Sequence, residues 1–350
     1  MSDALELAAR HDAAGRHDEA VNALAKATGS GDVAATTELG KRLLTGDRAP
    51  YLPRDGAGLL ADAARAGGVE ATLRLACLSA LGAHVAQSWA AALNLVGTAA
   101  ALGSDEARGQ LRVLAGREPD RARGEDWRDV ARVVDVARWL TPPRGTALNE
   151  APLVRHYADF VAAAACAWLI ERAQHRLRRA LIYSGTAGGD IKHEMRTNSA
   201  AVCHLGHMDL VNVVVQYRVA AACGVPVDNL EGPTVLHYAV GEQITDHTDF
   251  LNPRMANYAE ELATRGERCF TLLTYLNDDY EGGETDFPVL GVRHKARRGD
   301  GLLFANALAS GERDPRSRHA GWPPTRGEKW VLSQFVRTRA VFNTPAENVA

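Results

Sequence analysis

The chain has 350 residues, of which 46% are hydrophobic and 24% charged, and its formal net charge is −3. This composition is typical of a folded globular protein with two or three domains. The small negative charge excludes a broad nucleic-acid-binding or anionic-membrane surface. No apolar run reaches the ~18 residues of a membrane span. The N-terminus has acidic residues and no apolar segment typical of a secretion signal, so we expect a cytoplasmic protein.

The cysteines are dispersed along the chain and none forms a CxxC pair: they are Cys77, Cys166, Cys203, Cys223 and Cys269. Their number is odd, which argues against a framework of paired disulfides. In a cytoplasmic protein we therefore expect buried thiols rather than disulfides or a zinc site.

Residues 4–116 are rich in alanine and leucine and are punctuated by glycine. Gly-containing turns precede Ala34, Ala71 and Ala107, which lie 37 and 36 residues apart. That period is typical of paired-helix solenoids. The runs AATTELGKRLLTG, LLADAARAGG and TLRLACLSALG resemble Sel1-like repeats, relatives of the tetratricopeptide family. The resemblance implies an N-terminal α-helical repeat solenoid at residues 1–116 with a surface for a protein partner. The alternative is that these helices only support the next domain.

Residues 117–150 are predicted to connect two domains. The run REPDRARGED is polar and indicates a loop, whereas residues 126–140 place apolar side chains at helical spacing. Pro142 and Pro143 end that helix, because proline cannot continue it. We therefore expect a second domain at residues 151–350.

The second domain is predicted to begin with helices and to continue with strands. Residues 152–183 predict one or two helices, and residues 207–224 predict another that Gly224 ends. After Pro233 the chain has short β-branched or aromatic runs: TVLHYAV, RCFTLLTYL, GVRHKARRG, DGLLFANAL and KWVLSQFVRTR. Helices followed by several short strands predict a double-sheet jelly roll with packed helices, so the fold class is α+β and multidomain.

Candidate metal ligands lie in this strand-rich part. His247 and Asp249, two residues apart, can face the same side of a strand. His319, 70 residues after Asp249, can come from a later strand. Two histidines and a carboxylate with open coordination positions form the facial triad of non-haem Fe(II) oxygenases. Lys329 begins a strand ten residues later, and a buried lysine needs an anionic partner such as a dicarboxylate keto acid.

A second histidine pair, His204 and His207, has HxxH spacing. It precedes a helix and has no third partner nearby, so a zinc site is not favoured. We interpret the pair as structural or as lying on the substrate side.

Several longer motifs surround the candidate ligands. They are Arg196-Thr197-Asn198, LEGPTVLHYAVGEQITDHTDF, RCFTLLTYLNDDYEGGETDFP, GDGLLFAN and HAGWPPTRGEKW. With these motifs, residues from about 152 to 340 resemble the prolyl 4-hydroxylase branch of the 2-oxoglutarate- and Fe(II)-dependent dioxygenases. The resemblance implies a double-stranded β-helix domain that uses Fe(II), 2-oxoglutarate and O2, with ascorbate as an accessory reductant.

The resemblance also implies a role for each matching residue. His247, Asp249 and His319 would bind iron. Lys329 would bind the far carboxylate of 2-oxoglutarate, Tyr238 would hydrogen-bond that carboxylate, and Thr271 would line the co-substrate pocket.

Two positions depart from the family pattern and bear on the substrate. Phe335 stands six residues after Lys329, where the family usually has tryptophan, and His237 stands before Tyr238, where the family has arginine. The polar segment 250–267 joins two predicted strands, and its length suggests the hypothesis of a mobile flap over the substrate.

Three functions agree with these features. The first is hydroxylation of an unactivated C–H, on prolyl residues of a peptide or protein, with release of succinate and CO2. The second is the same chemistry on a free amino acid or another small molecule. The third, of another class, is a repeat-based interaction scaffold with an inactive oxygenase domain. The intact ligand set with Lys329 favours an enzyme, and we expect neither a nucleic-acid nor a membrane partner.

Overall fold

The structure, a computed structural model, describes residues 2–180, 182–183, 190–191, 195–255, 257–308 and 310–341. The chain divides into two compact units. Among the described residues, the first comprises those up to Val136 together with His204–Val213, and the second comprises Ala137–Cys203 and residues 214–341. In the described parts of the chain, no helix has both the length and the apolar character needed to cross a bilayer. The five cysteines are free thiols: Cys77, Cys166 and Cys203 are buried, as expected, whereas Cys223 and Cys269 are half-buried.

The first unit is built from helices that pack against their neighbours in sequence, such as α3 against α4 and α5 against α6. They are α1 (Asp3–Ala13), α2 (His17–Gly29), α3 (Val33–Thr45), α4 (Pro53–Arg65), α5 (Val69–Leu81), α6 (Trp89–Ala101), α7 (Asp105–Ala115) and α8 (Trp127–Arg132). Helices α3, α5 and α7 begin 36 residues apart. Each of the three ends at a glycine with positive φ, a conformation that costs glycine little: Gly46, Gly82 and Gly116. The predicted helical N-terminus is confirmed.

The single helix predicted at residues 126–140 is wrong. The chain forms α8 and then a separate α9 (Val136–Leu140). At the break, the Val133 N–H donates to Val130 O and the Val134 N–H donates to Ala131 O. Such bonds between residues three apart tighten a last helical turn, and two adjacent β-branched valines favour the end of a helix.

The remaining elements alternate short strands with helices. They are β1 (Thr146–Glu150), β2 (Leu153–Tyr157), α10 (Ala163–Gln174), β3 (Arg178–Arg179), β4 (Ile182–Tyr183), β5 (Asp190–Ile191), β6 (Ser199–Val202), α11 (Leu210–Cys223), β7 (Thr234–Tyr238), β8 (Ile244–His247), α12 (Tyr258–Arg265), β9 (Arg268–Tyr275), β10 (Glu281–Gly282), β11 (Thr285–Phe287), β12 (Val292–His294), β13 (Gly301–Ala305), β14 (His319–Gly321), β15 (Pro324–Arg326) and β16 (Lys329–Arg337). The helix predicted at 207–224 is confirmed as α11.

Two antiparallel sheets form the core of the second unit. In the described residues, the larger sheet has the order β1-β2-β13-β9-β16-β7-β6-β3 and the smaller has the order β12-β11-β14-β8. Phe287 of the smaller sheet meets Phe304 of the larger edge to face, with ring centroids 5.1 Å apart. Tyr275 and Val331 join them in one buried cluster. The pairs β10–β15 and β4–β5 form two separate two-stranded sheets. The predicted antiparallel, strand-rich domain is confirmed.

The helical prediction for residues 152–183 is wrong for its first and last parts, because only Ala163–Gln174 is helical and both Arg178–Arg179 and Ile182–Tyr183 are strands. Residues 153–157 form β2, which pairs with β1 and with β13, and the helix α10 begins only at Ala163. Val154 and Tyr157 are buried within this sheet. The pairing partner Leu303 of Arg155 is far away in sequence, so no local pattern indicates it. Valine and tyrosine also favour strands over helices. Of the predicted run GVRHKARRG, only Val292–His294 is a strand.

Candidate metal centre

The three predicted ligands meet at one point of the smaller sheet. His247 ends β8 and His319 begins β14, and the two residues are direct partners in the antiparallel register. Their ring centroids are 4.3 Å apart. Asp249 reaches between them, with Oδ1 3.4 Å from His247 Nε2 and Oδ2 3.6 Å from His319 Nε2. One ligand atom from each residue lies within 4.8 Å of the others.

Backbone carbonyls orient both imidazoles. His247 Nδ1 lies 2.9 Å from Thr245 O, and His319 Nδ1 lies 3.1 Å from Ser317 O. A carbonyl only accepts, so Nδ1 carries the proton and the Nε2 lone pair faces Asp249. Burial lowers the pKa of His319 to about 4, which keeps its ring neutral at neutral pH. A metal requires the neutral imidazole.

Asp249 is ionised and held by a hydroxyl. Thr271 on β9 donates to Asp249 Oδ2 at 2.7 Å, and Asn306 Nδ2 donates to Thr271 Oγ1 at 2.9 Å. Burial alone would raise the pKa of Asp249, but His319, His247 and the Thr271 hydroxyl hold it below its usual value. Two imidazoles and one carboxylate, with no further protein ligand among the described residues, fit Fe(II) with open coordination positions.

Lys329 lies in the same compact unit as the three candidate ligands, and the described residues around it leave its positive charge without an acidic partner. It is 2% exposed and stands opposite Tyr238 in the register of β16 and β7. Its Nζ donates to Gly283 O at 2.7 Å and lies 5.3 Å and 5.5 Å from the ring centroids of Tyr238 and Tyr275. Over the described ranges, no acidic side chain forms an ion pair with it. Burial lowers the pKa of Lys329 to about 7. A ligand carboxylate would complete this site.

Tyr238 and its neighbour His237 lie on opposite faces of strand β7. Tyr238 is buried, and its hydroxyl would lie 3.7 Å from a Cβ at Gly321, next to the ligand strand β14. His237 points to the opposite face, where its Nε2 lies 3.0 Å from Glu328 and its ring packs on Trp330. The departure at His237 therefore lies on the face of β7 opposite to Tyr238.

Phe335, the second departure from the family pattern, pairs with Thr271 in the register of β16 and β9. The Arg268 guanidinium lies 3.8 Å from its ring centroid, donates to Asp249 O and forms a two-point ion pair with Glu231. Phe335 therefore lies beside residues that contact Asp249.

The histidine pair at 204 and 207 forms a different structure. His207 Nδ1 lies 3.0 Å from His204 Nε2 within a turn. Among the residues that the structure describes, only His247, Asp249 and His319 have the geometry of a metal cluster. A zinc site at the HxxH motif therefore has no support.

Sequence reasoning missed Asn306 and Tyr275. Asn306 supports Thr271, and the Tyr275 hydroxyl lies 2.7 Å from Thr285 Oγ1. Strand alternation contained a signal for Tyr275, because it lies four residues after Thr271 and so faces the same side of β9.

Known proteins are similar to the part of the chain that contains the candidate metal centre. The model of the 2OG-Fe(II) oxygenase superfamily matches residues 233–337. The Arabidopsis thaliana protein named "Probable prolyl 4-hydroxylase 6" is 30% identical over 220 residues, which cover 57% of this chain and 74% of that protein. Prolyl 4-hydroxylase 5 of Arabidopsis thaliana is 28% identical over 240 residues, or 63% of this chain and 76% of that protein.

Among solved structures, the viral collagen prolyl hydroxylase from Paramecium Bursaria Chlorella virus-1 aligns with a TM-score of 0.42 and 23% identity, over 53% of this chain and 95% of that one. The Pseudomonas putida prolyl-4-hydroxylase aligns with a TM-score of 0.37 and 20% identity, over 53% and 92% of the two chains. From its sequence relatives, the chain belongs to the prolyl 4-hydroxylase family of the 2OG-Fe(II) oxygenase superfamily and is a 2-oxoglutarate-dependent dioxygenase that uses Fe(II) and O2.

Proposed function

We propose that this enzyme hydroxylates prolyl residues in a peptide or protein and releases succinate and CO2. The observation that carries the proposal is the cluster of His247, Asp249 and His319 in the same unit as the buried Lys329. The names of the relatives, which are prolyl 4-hydroxylases, supply the substrate class. We take the two facing sheets as the double-stranded β-helix expected for such an enzyme.

In this proposal His247 and His319 hold iron through Nε2, and Asp249 holds it through its carboxylate. Bound Fe(II) and 2-oxoglutarate supply the activation of O2 that places a hydroxyl group on an unactivated C–H. Thr271 and Asn306 keep the Asp249 carboxylate aimed at the metal. The rings of Phe287 and Phe304 pack against His319 at 5.5 Å and 4.5 Å and exclude water from that side.

Lys329 and Tyr238 bind the far carboxylate of 2-oxoglutarate in this proposal. The ammonium gains the negative partner that the described protein residues do not provide, and the buried Tyr238 hydroxyl donates to the same carboxylate. Burial raises the pKa of Tyr238 to about 12, so its proton stays available for this hydrogen bond. Thr271, by contrast, donates to Asp249, and its contact with the co-substrate stays a prediction.

The segment 250–267 is proposed as the flap on the substrate side. It contains α12, and Glu261 of this helix accepts from Arg337 at 2.7 Å. Arg313 stacks on Phe250 and on Tyr258, and it pairs with Glu267. These contacts hold the segment in the conformation that the structure shows. Limited proteolysis with 2-oxoglutarate and substrate tests the flap, and equal cleavage with and without both compounds would contradict it.

The organisation of the N-terminal region belongs to the same proposal. Helix starts 36 residues apart support Sel1-like repeats in a solenoid. The boundaries 1–116, 117–150 and 151–350, the role of ascorbate and the cytoplasmic location stay predictions. Recruitment of a protein partner by the repeats is not needed for the chemistry.

The test is release of succinate from 2-oxoglutarate by the full chain with Fe(II) and ascorbate. It compares a proline-rich peptide, free proline and no substrate, and mass spectrometry locates the added oxygen atom. We expect peptide-dependent succinate release with a 16-Da mass increase on proline, the mass of one oxygen atom. Turnover with free proline alone would favour the small-molecule alternative. Absence of both turnover and iron binding would favour the scaffold alternative.

A further inference from the structure

Helices α5 and α7 carry two buried polar side chains at equivalent positions. Arg74 is the sixth residue of α5 and Gln110 is the sixth residue of α7, which places them 36 residues apart. They are 4% and 1% exposed. A buried guanidinium and a buried amide need polar partners. Each of these side chains therefore marks a position where the helices hold another polar group.

Their partner is a segment of the same unit, residues 204–213. The carbonyl of Met208 accepts from Arg74 Nη1 and also from Cys77 Sγ at 3.2 Å. The N–H of Leu210 donates to Gln110 Oε1 at 3.0 Å. Arg74 is further neutralised by Glu106, whose Oε1 lies 3.0 Å from Arg74 Nη2.

The segment follows the helices in order. A Cβ at Gly206 would lie 3.7 Å from Thr45 at the end of α3, Met208 contacts α5, and Leu210 contacts α7. From α5 to α7, one 36-residue period of the helices, the contacted residue of the segment advances by two, from Met208 to Leu210. Equivalent side chains on successive repeats therefore hold successive backbone groups, as in repeat proteins that bind an unfolded peptide.

The docked segment is also ordered by its own contacts. The His204 carbonyl accepts from the N–H groups of His207 and Met208 in a turn. Asp209 then caps α11, because its Oδ1 accepts from Asn212 N at 3.0 Å. Met208 and Leu210 are buried, with exposures of 2% and 0%. A preordered segment on the same chain has an effective concentration in the millimolar range, far above that of most separate partners.

We propose that the ligand of the helical unit is this chain's own segment 204–213, bound in cis through its backbone at Met208 and Leu210. The surface formed by Arg74, Cys77 and Gln110 is therefore filled from within the molecule. The helical unit therefore holds the stretch between β6 and α11 in place. At these positions it is not a surface that recruits a separate partner. This inference is independent of the substrate proposed above.

The test uses hydrogen–deuterium exchange of the full-length protein, read by mass spectrometry over residues 204–213. Gln110→Leu removes the acceptor of the Leu210 N–H and keeps the approximate volume. Arg74→Lys keeps the charge beside Glu106 but loses the planar fork that reaches both Glu106 and the Met208 carbonyl. Glu70→Gln is the matched control, because Glu70 also lies on α5 but is exposed and pairs only with Lys41 at 2.8 Å.

We expect exchange in segment 204–213 to be about 5- to 30-fold faster in Gln110→Leu, and faster to a lesser degree in Arg74→Lys, than in the control. If Gln110→Leu unfolds the helical unit by circular dichroism, the Arg74→Lys protein decides the question. Exchange equal to that of the control in a folded variant would overturn the proposal. So would tight one-to-one binding of a synthetic peptide of residues 204–213 to the unmodified protein, since a filled surface cannot accept it.

Discussion

Thr271 donates a hydrogen bond to Asp249, and the 2.7 Å contact joins strand β9 to the segment that follows β8. The Thr271→Val substitution keeps the side-chain shape and removes the donor. We expect Fe(II) affinity to fall about 10- to 100-fold, because the carboxylate loses the group that aims it. Titration with Fe(II) under anaerobic conditions measures the change.

Thr274→Val is the control for that experiment. Thr274 lies on the same strand and is fully buried, but its hydroxyl has no hydrogen-bond partner among the residues that the structure describes. An equal loss of iron affinity in both variants would show that the effect comes from packing and not from the bond to Asp249.

The two histidines of the candidate centre can be tested against a third histidine. His247→Ala or His319→Ala is expected to abolish both succinate release and iron binding, because each removes one ligand of three. His237→Ala, on the opposite face beside Glu328 and Trp330, is expected to keep turnover within about twofold, because this side chain does not contact the three candidate ligands. Full activity of the His247→Ala protein would reject the iron assignment.

Binding of 2-oxoglutarate is expected to weaken as the pH rises above neutrality. Lys329 has a pKa lowered to about 7 by burial; Glu284 raises it and Lys295 lowers it, while the neutral Tyr238 and Tyr275 rings flank the amine. Above this pKa the free amine must take up a proton to pair with a carboxylate, so affinity falls by up to about tenfold per pH unit. Calorimetry in buffers of different ionisation enthalpy measures both the affinity and the proton uptake.

Lys329→Met should remove that pH dependence and weaken the binding free energy of 2-oxoglutarate by about 3 to 5 kcal/mol, since it leaves a buried carboxylate without its cationic partner. Iron binding should stay close to normal. If the pH dependence persists in this variant, another group is responsible for it.

Gly283 is expected to tolerate no side chain. Its φ is +70°, and a Cβ there would lie 2.8 Å from the Tyr280 ring and 3.3 Å from Lys329 Cδ. Gly283→Ala should cost about 2 to 4 kcal/mol in the free energy of unfolding, from left-handed strain and overpacking together. Gly291→Ala isolates the first cause, because Gly291 has φ +64° and nothing within 4 Å, and it should cost about 1 kcal/mol. Urea denaturation compares the two variants.

The grouping of His247, Asp249 and His319 could be predicted from the sequence, because residues two apart on a strand face the same side and a later strand can supply the third side chain. Their role as iron ligands stays a prediction. His247 and Asp249 are close in sequence, and His319 was identified by residue type, spacing and the surrounding motifs. The structure added that His319 is the direct register partner of His247, which a sequence cannot show because pairing joins residues far apart. It also showed that Thr271 supports Asp249.

The parts that could not be predicted depend on long-range contacts. The sequence around strand β2 predicts a helix, but the strand pairs with β13. That pairing exists only in the folded sheet and is not visible in the local sequence. The contact between Gln110 and Leu210 spans 100 residues of sequence, and neither residue carries a motif. Strand alternation, in contrast, could have shown in advance that His237 and Tyr238 face opposite sides.

The buried amine of Lys329 has a consequence for the lifetime of the folded chain. In the unfolded chain this lysine has its ordinary pKa of 10.5, whereas in the folded protein the pKa is about 7, so burial of the amine opposes folding at every pH below 10.5, with the full cost below pH 7. A bound keto acid relieves that cost, and ligands that bind only the folded state stabilise it by mass action. The half-life of the enzyme in a cell should therefore lengthen when 2-oxoglutarate is abundant and shorten when central metabolism is starved of it.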